Sequence, residues 1–202
     1  MRMLISLLGM ILCFAQGSAA RAEAAENTTV AVQFNPLVAA GLTAGGDTIA
    51  TYRVEFWGDD YDADLDLGGT FFMYGGFSIQ WPSHNVGILL QGGFFSDLIG
   101  DYDDSADFTR WPVELIGFVE TEKFRVGLGM THHFSPTFDE DGFDNAKLEF
   151  DDASGWLLQV EYMFENFSLG IRHVQIDYEI DSNQLDGNHW GLSATYRFGN
   201  QG

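Results

Sequence analysis

From residue 41 to the end of the chain, apolar and polar residues alternate in blocks separated by polar breaks. The stretch HWGLSATYRF, 189–198, shows the rule. Trp190, Leu192, Ala194, Tyr196 and Phe198 share one parity; His189, Gly191, Ser193, Thr195 and Arg197 share the other. A period of two marks a β-strand, whose successive side chains point to opposite faces. Residues 65–81 repeat the pattern, with Phe71, Met73, Phe77, Ile79 and Trp81 against Thr70, Tyr74, Gly76, Ser78 and Gln80. Further strands are predicted over 86–97, 108–120, 124–135, 150–164 and 167–180. In the last of these the pattern slips near His173 and Val174, which predicts a β-bulge there.

The breaks come in two kinds. PSHN, ETEK and the pair Glu165–Asn166 are short. GDDYDAD, SDLIGDYDDSAD, PTFDEDGFDNAK and DSNQLDGN are longer and mostly acidic. Counting directions back from the last strand puts all the short turns at one end and all the long loops at the other. An even number of strands needs one more upward strand, and GLTAGGDTIATYRVEFW, 41–57, supplies it. The segment TTVAVQFNP, 28–36, either extends that strand past Pro36 or lies free in the periplasm. The prediction is an all-β, eight-stranded antiparallel up-and-down transmembrane β-barrel, with short periplasmic turns and longer acidic extracellular loops.

Composition decides which face is inside. The chain is 46% hydrophobic and 15% aromatic, with 24 glycines and 4 prolines. No stretch beyond the N-terminus is a continuous apolar run long enough for a spanning helix. Arg53, Arg110, Arg125, Arg172 and Arg197 all fall on the non-greasy parity, joined by Glu55, Gln91, Glu114, Gln159 and Glu161. A soluble sandwich could hold these faces in water, but its loops would not sort into short at one end and long at the other. The greasy face is therefore read as lipid-facing and the polar face as the lumen.

The N-terminus agrees with export. Arg2, a mainly apolar run over 3–15 and the Ala20-Arg21-Ala22 site read as a secretory signal peptide, 1–22. Residues 23–40 are an N-terminal segment or the start of the first strand, 41–198 the barrel and 199–202 a tail. The sole cysteine, Cys13, lies inside the signal. Leu12 before it is not the small residue a lipoprotein site would carry, so the mature chain is expected to have no thiol chemistry. The formal net charge is -21, and loss of Arg2 and Arg21 makes the mature chain more acidic still. Nucleic-acid binding through phosphates is excluded on that ground.

The stretches AGGDTIAT, RWPVELIGF, FRVGLGMTHHFSP, FDDASGWLLQVEYMF and FSLGIRHVQIDYE resemble small Gram-negative outer-membrane β-barrel proteins, over about residues 40–198. The chain also resembles the wider OmpA/OmpX class of eight-stranded barrels. WGLSATYRF is similar to the C-terminal signal read by the barrel assembly machinery, with Trp190, Tyr196 and Phe198 as its aromatics; in that pattern the aromatic is usually last, whereas GNQG follows here. The resemblance implies a cell outer-membrane location and lipid and lipopolysaccharide partners.

Three kinds of chemistry are candidates. An eight-stranded lumen is just wide enough to be filled by side chains. Arg53, Glu55, Gln91, Arg110, Glu114, Arg125, His133, Gln159, Glu161, Arg172 and Arg197 are predicted to pair there as a polar network, because unpaired buried charge is costly. The alternative use of such a lumen is a narrow channel for ions or small solutes. The acidic loops are weak Ca²⁺ candidates at Asp101, Asp103, Asp104, Asp139 and Asp141, without EF-hand spacing. In HHFSP, His133 and Ser135 share lumen parity and resemble the H-x-S of lipid A deacylases. That family has Asn where this chain has Pro136, and Glu near where it has Lys147. Trp81, Phe164, Tyr196 and Phe198 read as interfacial anchors. The expectation is a monomeric, non-enzymatic envelope protein with no cofactor.

Overall fold

The computed structural model describes residues 32–56, 59–100, 105–141, 147–180 and 183–198. The predicted signal peptide, the predicted C-terminal tail, Asp101, Asp103 and Asp104 lie outside them. Among the described residues there are thirteen strands: β1 Gln33–Ala44, β2 Thr48–Phe56, β3 Asp59–Asp66, β4 Phe71–Trp81, β5 Val86–Gly100, β6 Ser105–Glu120, β7 Phe124–Asp141, β8 Lys147–Glu149, β9 Ala153–Met163, β10 Phe167–Gln175, β11 Asp177–Ile180, β12 Asn183–Asp186 and β13 His189–Arg197.

Eight of them form a closed antiparallel ring in the order β1, β4, β5, β6, β7, β9, β10, β13 and back to β1. Closure leaves the ring without an unpaired edge. The remaining strands decorate one end. β2 and β3 form a separate hairpin between β1 and β4, and β11 and β12 another between β10 and β13. β8 pairs with the upper part of β7.

The opposite end is closed by tight turns. Pro82–His84 make one turn of 3-10 helix, and Asn85 exits in the left-handed region at φ 54°. Asparagine tolerates that conformation better than most residues. The other two turns are held by Thr121 N–H donating to Phe124 O and Phe164 N–H to Phe167 O, each at 2.7 Å.

The ring is inside-out relative to a soluble barrel. Leu115 is 55% exposed, Trp156 45%, Trp190 60% and Leu192 62%, whereas Arg110 and Glu114 are 0% and Arg125 1% exposed. Aromatics gather at both rims of the outer surface. At the short-turn rim Phe124 stacks edgewise on Tyr162 at 5.3 Å and Tyr196 on Phe198 at 4.9 Å. At the long-loop rim Phe94 meets Trp111 at 5.2 Å and His173 stacks on Trp190 at 4.5 Å.

Two expectations are corrected. The first wall strand is β1, not 41–57: Gly45 and Gly46, at φ 123° and 89°, break the chain after Ala44. Arg53 and Glu55 therefore sit on the β2–β3 hairpin, opposite Asp62 and Asp60, and not in the wall. The second concerns His173 and Val174, which show no bulge. Both keep regular register, His173 with Leu158 and Trp190, Val174 with Leu157 and His189. The alternation is intact; what changes is the lumen, which turns apolar at Val174 and Ile176.

Candidate functional site

The lumen is filled in three tiers. The lower tier, near the short turns, is built on Arg125 from the start of β7. Its Nε donates to Glu120 Oε2 at 2.8 Å and its Nη1 to Glu161 Oε2 at 3.5 Å, while its guanidinium lies 4.2 Å over the Phe118 ring. Gln80 donates to Glu120 at 2.8 Å and Ser168 to Glu161 at 2.8 Å. Arg197 reaches the same carboxylate indirectly, through Ser168 Oγ at 3.3 Å. Two guanidinium and two carboxylate groups thus balance. Ring closure brings them together, since they come from β6, β7, β9 and β13.

The middle tier is centred on Glu114, which accepts three hydrogen bonds. Arg172 Nη2 and Tyr74 Oη (3.1 Å) donate to Oε1, and Gln91 Nε2 donates to Oε2 at 2.7 Å. All four residues are buried. A carboxylate this far from water is tolerable only with such partners. Between the two lower tiers lies a void of about 10 Å³, lined in part by Leu37, Phe72, Gln159 and Thr195. That is about the space of one water.

The upper tier is a plug. Arg110 is fully buried, and among the described residues no carboxylate lies within ion-pair distance of it. Its Nη1 donates to Leu67 O at 2.6 Å and its Nη2 to Gly68 O at 3.0 Å. Its face lies 3.9 Å over Phe95, with Phe108 and Tyr178 at 5.0 and 5.5 Å. Ring quadrupoles favour a cation at such distances. Asp97 grips the same loop from the other side, accepting Asp66 N–H at 3.0 Å and the Thr70 hydroxyl. Thr43 donates to Gly69 O at 2.7 Å. Gly69, at φ 67°, lies so close to the Phe95 ring that a Cβ would come within 2.4 Å of it. Leu65, Leu67, Phe108, Phe150, Ile176 and Tyr178 close the mouth above as one apolar cluster. Burial pushes the Tyr178 phenol up to about 12.

Of the residues expected in the lumen, Gln91, Arg110, Glu114, Arg125, His133, Gln159, Glu161, Arg172 and Arg197 are buried there; Arg53 and Glu55 are elsewhere. Sequence reading missed Glu120, Asp97, Tyr178 and the Leu67–Gly69 loop. Asp97 was within reach, because it continues the inward parity of Gln91 and Phe95 into what reads as an acidic loop.

The His133–Ser135 pairing is corrected. Ser135 and Pro136 stand together against Arg110, since Thr109 pairs with Thr137 and Trp111 with Phe134. This bulge, with Ser135 at φ 46°, turns Ser135 outward and exposed. His133 stays in the lumen, and its Nδ1 lies 2.6 Å from Tyr178 Oη. Among the described residues no three carboxylate or imidazole groups converge on a metal-sized point. Asp139 instead lies opposite Asp107 and Lys147 in the ladders.

The plug makes a prediction. Arg110→Ala leaves the Leu67 and Gly68 carbonyls without their charged donor, which costs about 2 kcal/mol. The β2–β3 hairpin should loosen, so trypsin is expected to cut at Arg53 faster than in the parent while the ring itself survives. Gel analysis of timed digests checks this.

No protein-family profile matches this chain, and no curated protein matches it. Solved structures do. Neisserial surface protein A shares 11% identity over 83% of this chain and 99% of that one, with a TM-score of 0.44. The outer membrane protein OprG from Pseudomonas aeruginosa shares 16% over 81% and 96%, with a TM-score of 0.40. OmpT, an outer membrane protein of Vibrio cholerae, shares 15% over 80% of this chain and 52% of that one, with a TM-score of 0.27.

Proposed function

We propose that the chain is a closed, non-conducting barrel of a Gram-negative outer membrane, serving as an envelope component that presents its long loops at the cell surface. One observation carries this reading: an apolar belt surrounds a lumen packed with paired charge. The outward row of β7 from Phe124 to Phe134 spans ten residue steps. At about 3.4 Å per residue and a tilt of about 40°, it is roughly 25 Å tall, the height of an outer-membrane apolar band. Exposed aromatics at both rims fit the two interfaces of such a layer. Trp190, Tyr196 and Phe198, all outward, suit recognition by the barrel assembly machinery. Lipid and lipopolysaccharide are the surroundings this surface fits, and the ring needs no second copy to close.

Conduction would require a path past Arg125, Glu114 and Arg110 in turn. Neither the 10 Å³ void nor the capped mouth supports one. Refolded protein in a planar bilayer is expected to give no discrete conductance steps. Reproducible steps from protein that shows the heat-dependent gel shift of a folded barrel would replace this reading with the channel one.

A further inference from the structure

A second constellation lies on the outer flank, away from the lumen. His132 on β7 and Ser154 on β9 oppose each other across the ladder. Each follows the outward parity of its strand, one step above Met130 and Trp156. The Ser154 hydroxyl oxygen is 2.8 Å from His132 Nδ1. On the far side of the ring, His132 Nε2 is 3.9 Å from Asp152 Oδ2.

Asp152 is held in place. Its Oδ1 accepts the Ser135 N–H at 2.9 Å, a donor that the bulge at Ser135–Pro136 directs away from the β6 ladder. Bulges often re-aim groups in this way, and a non-glycine residue at positive φ is a cost that persists only where its surroundings enforce it. Phe134 stands edgewise to His132 at 4.4 Å and fixes the plane of the ring. The result is a hydroxyl, an imidazole and a carboxylate in series, the order in which a serine nucleophile is activated. The relevant tautomer carries its proton on Nε2, towards Asp152, and leaves Nδ1 to accept from Ser154.

We propose that Ser154 is a nucleophile towards acyl esters at the membrane surface, with His132 as its base and Asp152 as the group that orients the imidazole. The substrate class follows from position. The trio sits at the upper edge of the apolar belt, beside exposed Trp111, Phe134 and Trp156, where the ester of a lipid lies while its chains run down past Met130 and Leu158. Ser154 Oγ attacks the ester carbonyl and its proton passes to His132 Nδ1. The bond to the leaving alcohol breaks, and the alcohol takes that proton. Water then attacks the acyl-serine carbonyl and gives a proton to His132, the acyl bond to Oγ breaks, Oγ regains the proton, and the fatty acid departs. The inference rests on the membrane placement proposed above but not on whether the lumen conducts.

The test is a fluorophosphonate probe with an alkyl chain, added to the full mature chain refolded in detergent, with the modified residue located by peptide mass spectrometry. Covalent labelling is expected at Ser154, absent in Ser154→Ala and slowed about 100-fold or more in His132→Gln. Asp152→Asn is expected to slow it at least about tenfold, and p-nitrophenyl ester hydrolysis should fall in the same order. The gel shift is scored separately on every variant. Shifted protein that is unlabelled at Ser154, or is labelled equally fast in His132→Gln, overturns the site alone. A parent chain without the shift removes the barrel reading and the site with it.

Discussion

Glu114→Ala is expected to destabilise the barrel by about 3–5 kcal/mol, the cost of breaking a buried ion pair by removing one partner. The reason is visible in the middle tier. Among the described residues Glu114 accepts the side-chain hydrogen bonds of both Gln91 and Tyr74, and it is the direct counter-charge of Arg172. Alanine strands a guanidinium among Phe72 and Tyr74, where the rings offset only part of its lost hydration. Urea unfolding in lipid, followed by gel migration, reads the effect. The companion variant makes the argument specific. Replacing Glu114 and Arg172 together by Leu and Met removes both charges, so most of the loss should be recovered, with Tyr74 and Gln91 accounting for the remainder. If the double variant is as unstable as Glu114→Ala, charge pairing is not what stabilises the tier.

The second large effect lies one residue along the chain and on the opposite face. Leu115→Arg should cost about 2–4 kcal/mol, the penalty for a cation near the bilayer midplane. Leu115 is 55% exposed on the outside of β6, flanked across the ladders by Leu90 and Met130. In a water-soluble sheet the same exposure would make the substitution nearly neutral. The experiment therefore separates the two solvents directly. A matched substitution at Thr137, outside the belt near the top of β7, is expected to change stability by less than about 0.5 kcal/mol.

Much of this was legible from alternation alone. Arg110, Glu114 and Phe118 on one parity of β6, with Trp111, Val113 and Leu115 on the other, are sorted by the structure as the period predicts. The first strand was harder. Its lumen side reads Asn35, Leu37, Ala39, Gly41 and Thr43, too small and mixed to announce a face, and Pro36 interrupts it. The next stretch, Tyr52 to Phe56, alternates more cleanly because a two-stranded hairpin has the same period as a wall. The break at Gly45–Gly46 was the available signal. The plug was illegible for a different reason. A polar interior was expected to the rim, so apolar inward residues such as Val174 and Ile176 looked like a slipped register. Serine 135 shows the limit of parity itself, since one bulge reverses every assignment that depends on counting past it. The His132–Ser154–Asp152 trio needed β7 and β9 set side by side, a pairing that spacing within either strand cannot supply.

The seam between β1 and β13 has a bearing on how the molecule is made. Leu37 pairs with Arg197 and Ala44 with Trp190, so the earliest wall strand waits for the last one. Phe198 N–H then donates to Pro36 O at 2.8 Å, fastening the two ends at the same rim. Until the final segment is available to pair, both flanks of the incomplete sheet present bare amides, and insertion into hydrocarbon would leave them unsatisfied. Such a cylinder cannot assemble strand by strand during synthesis. Its seam closes last, at the slow pace that long-range pairing imposes.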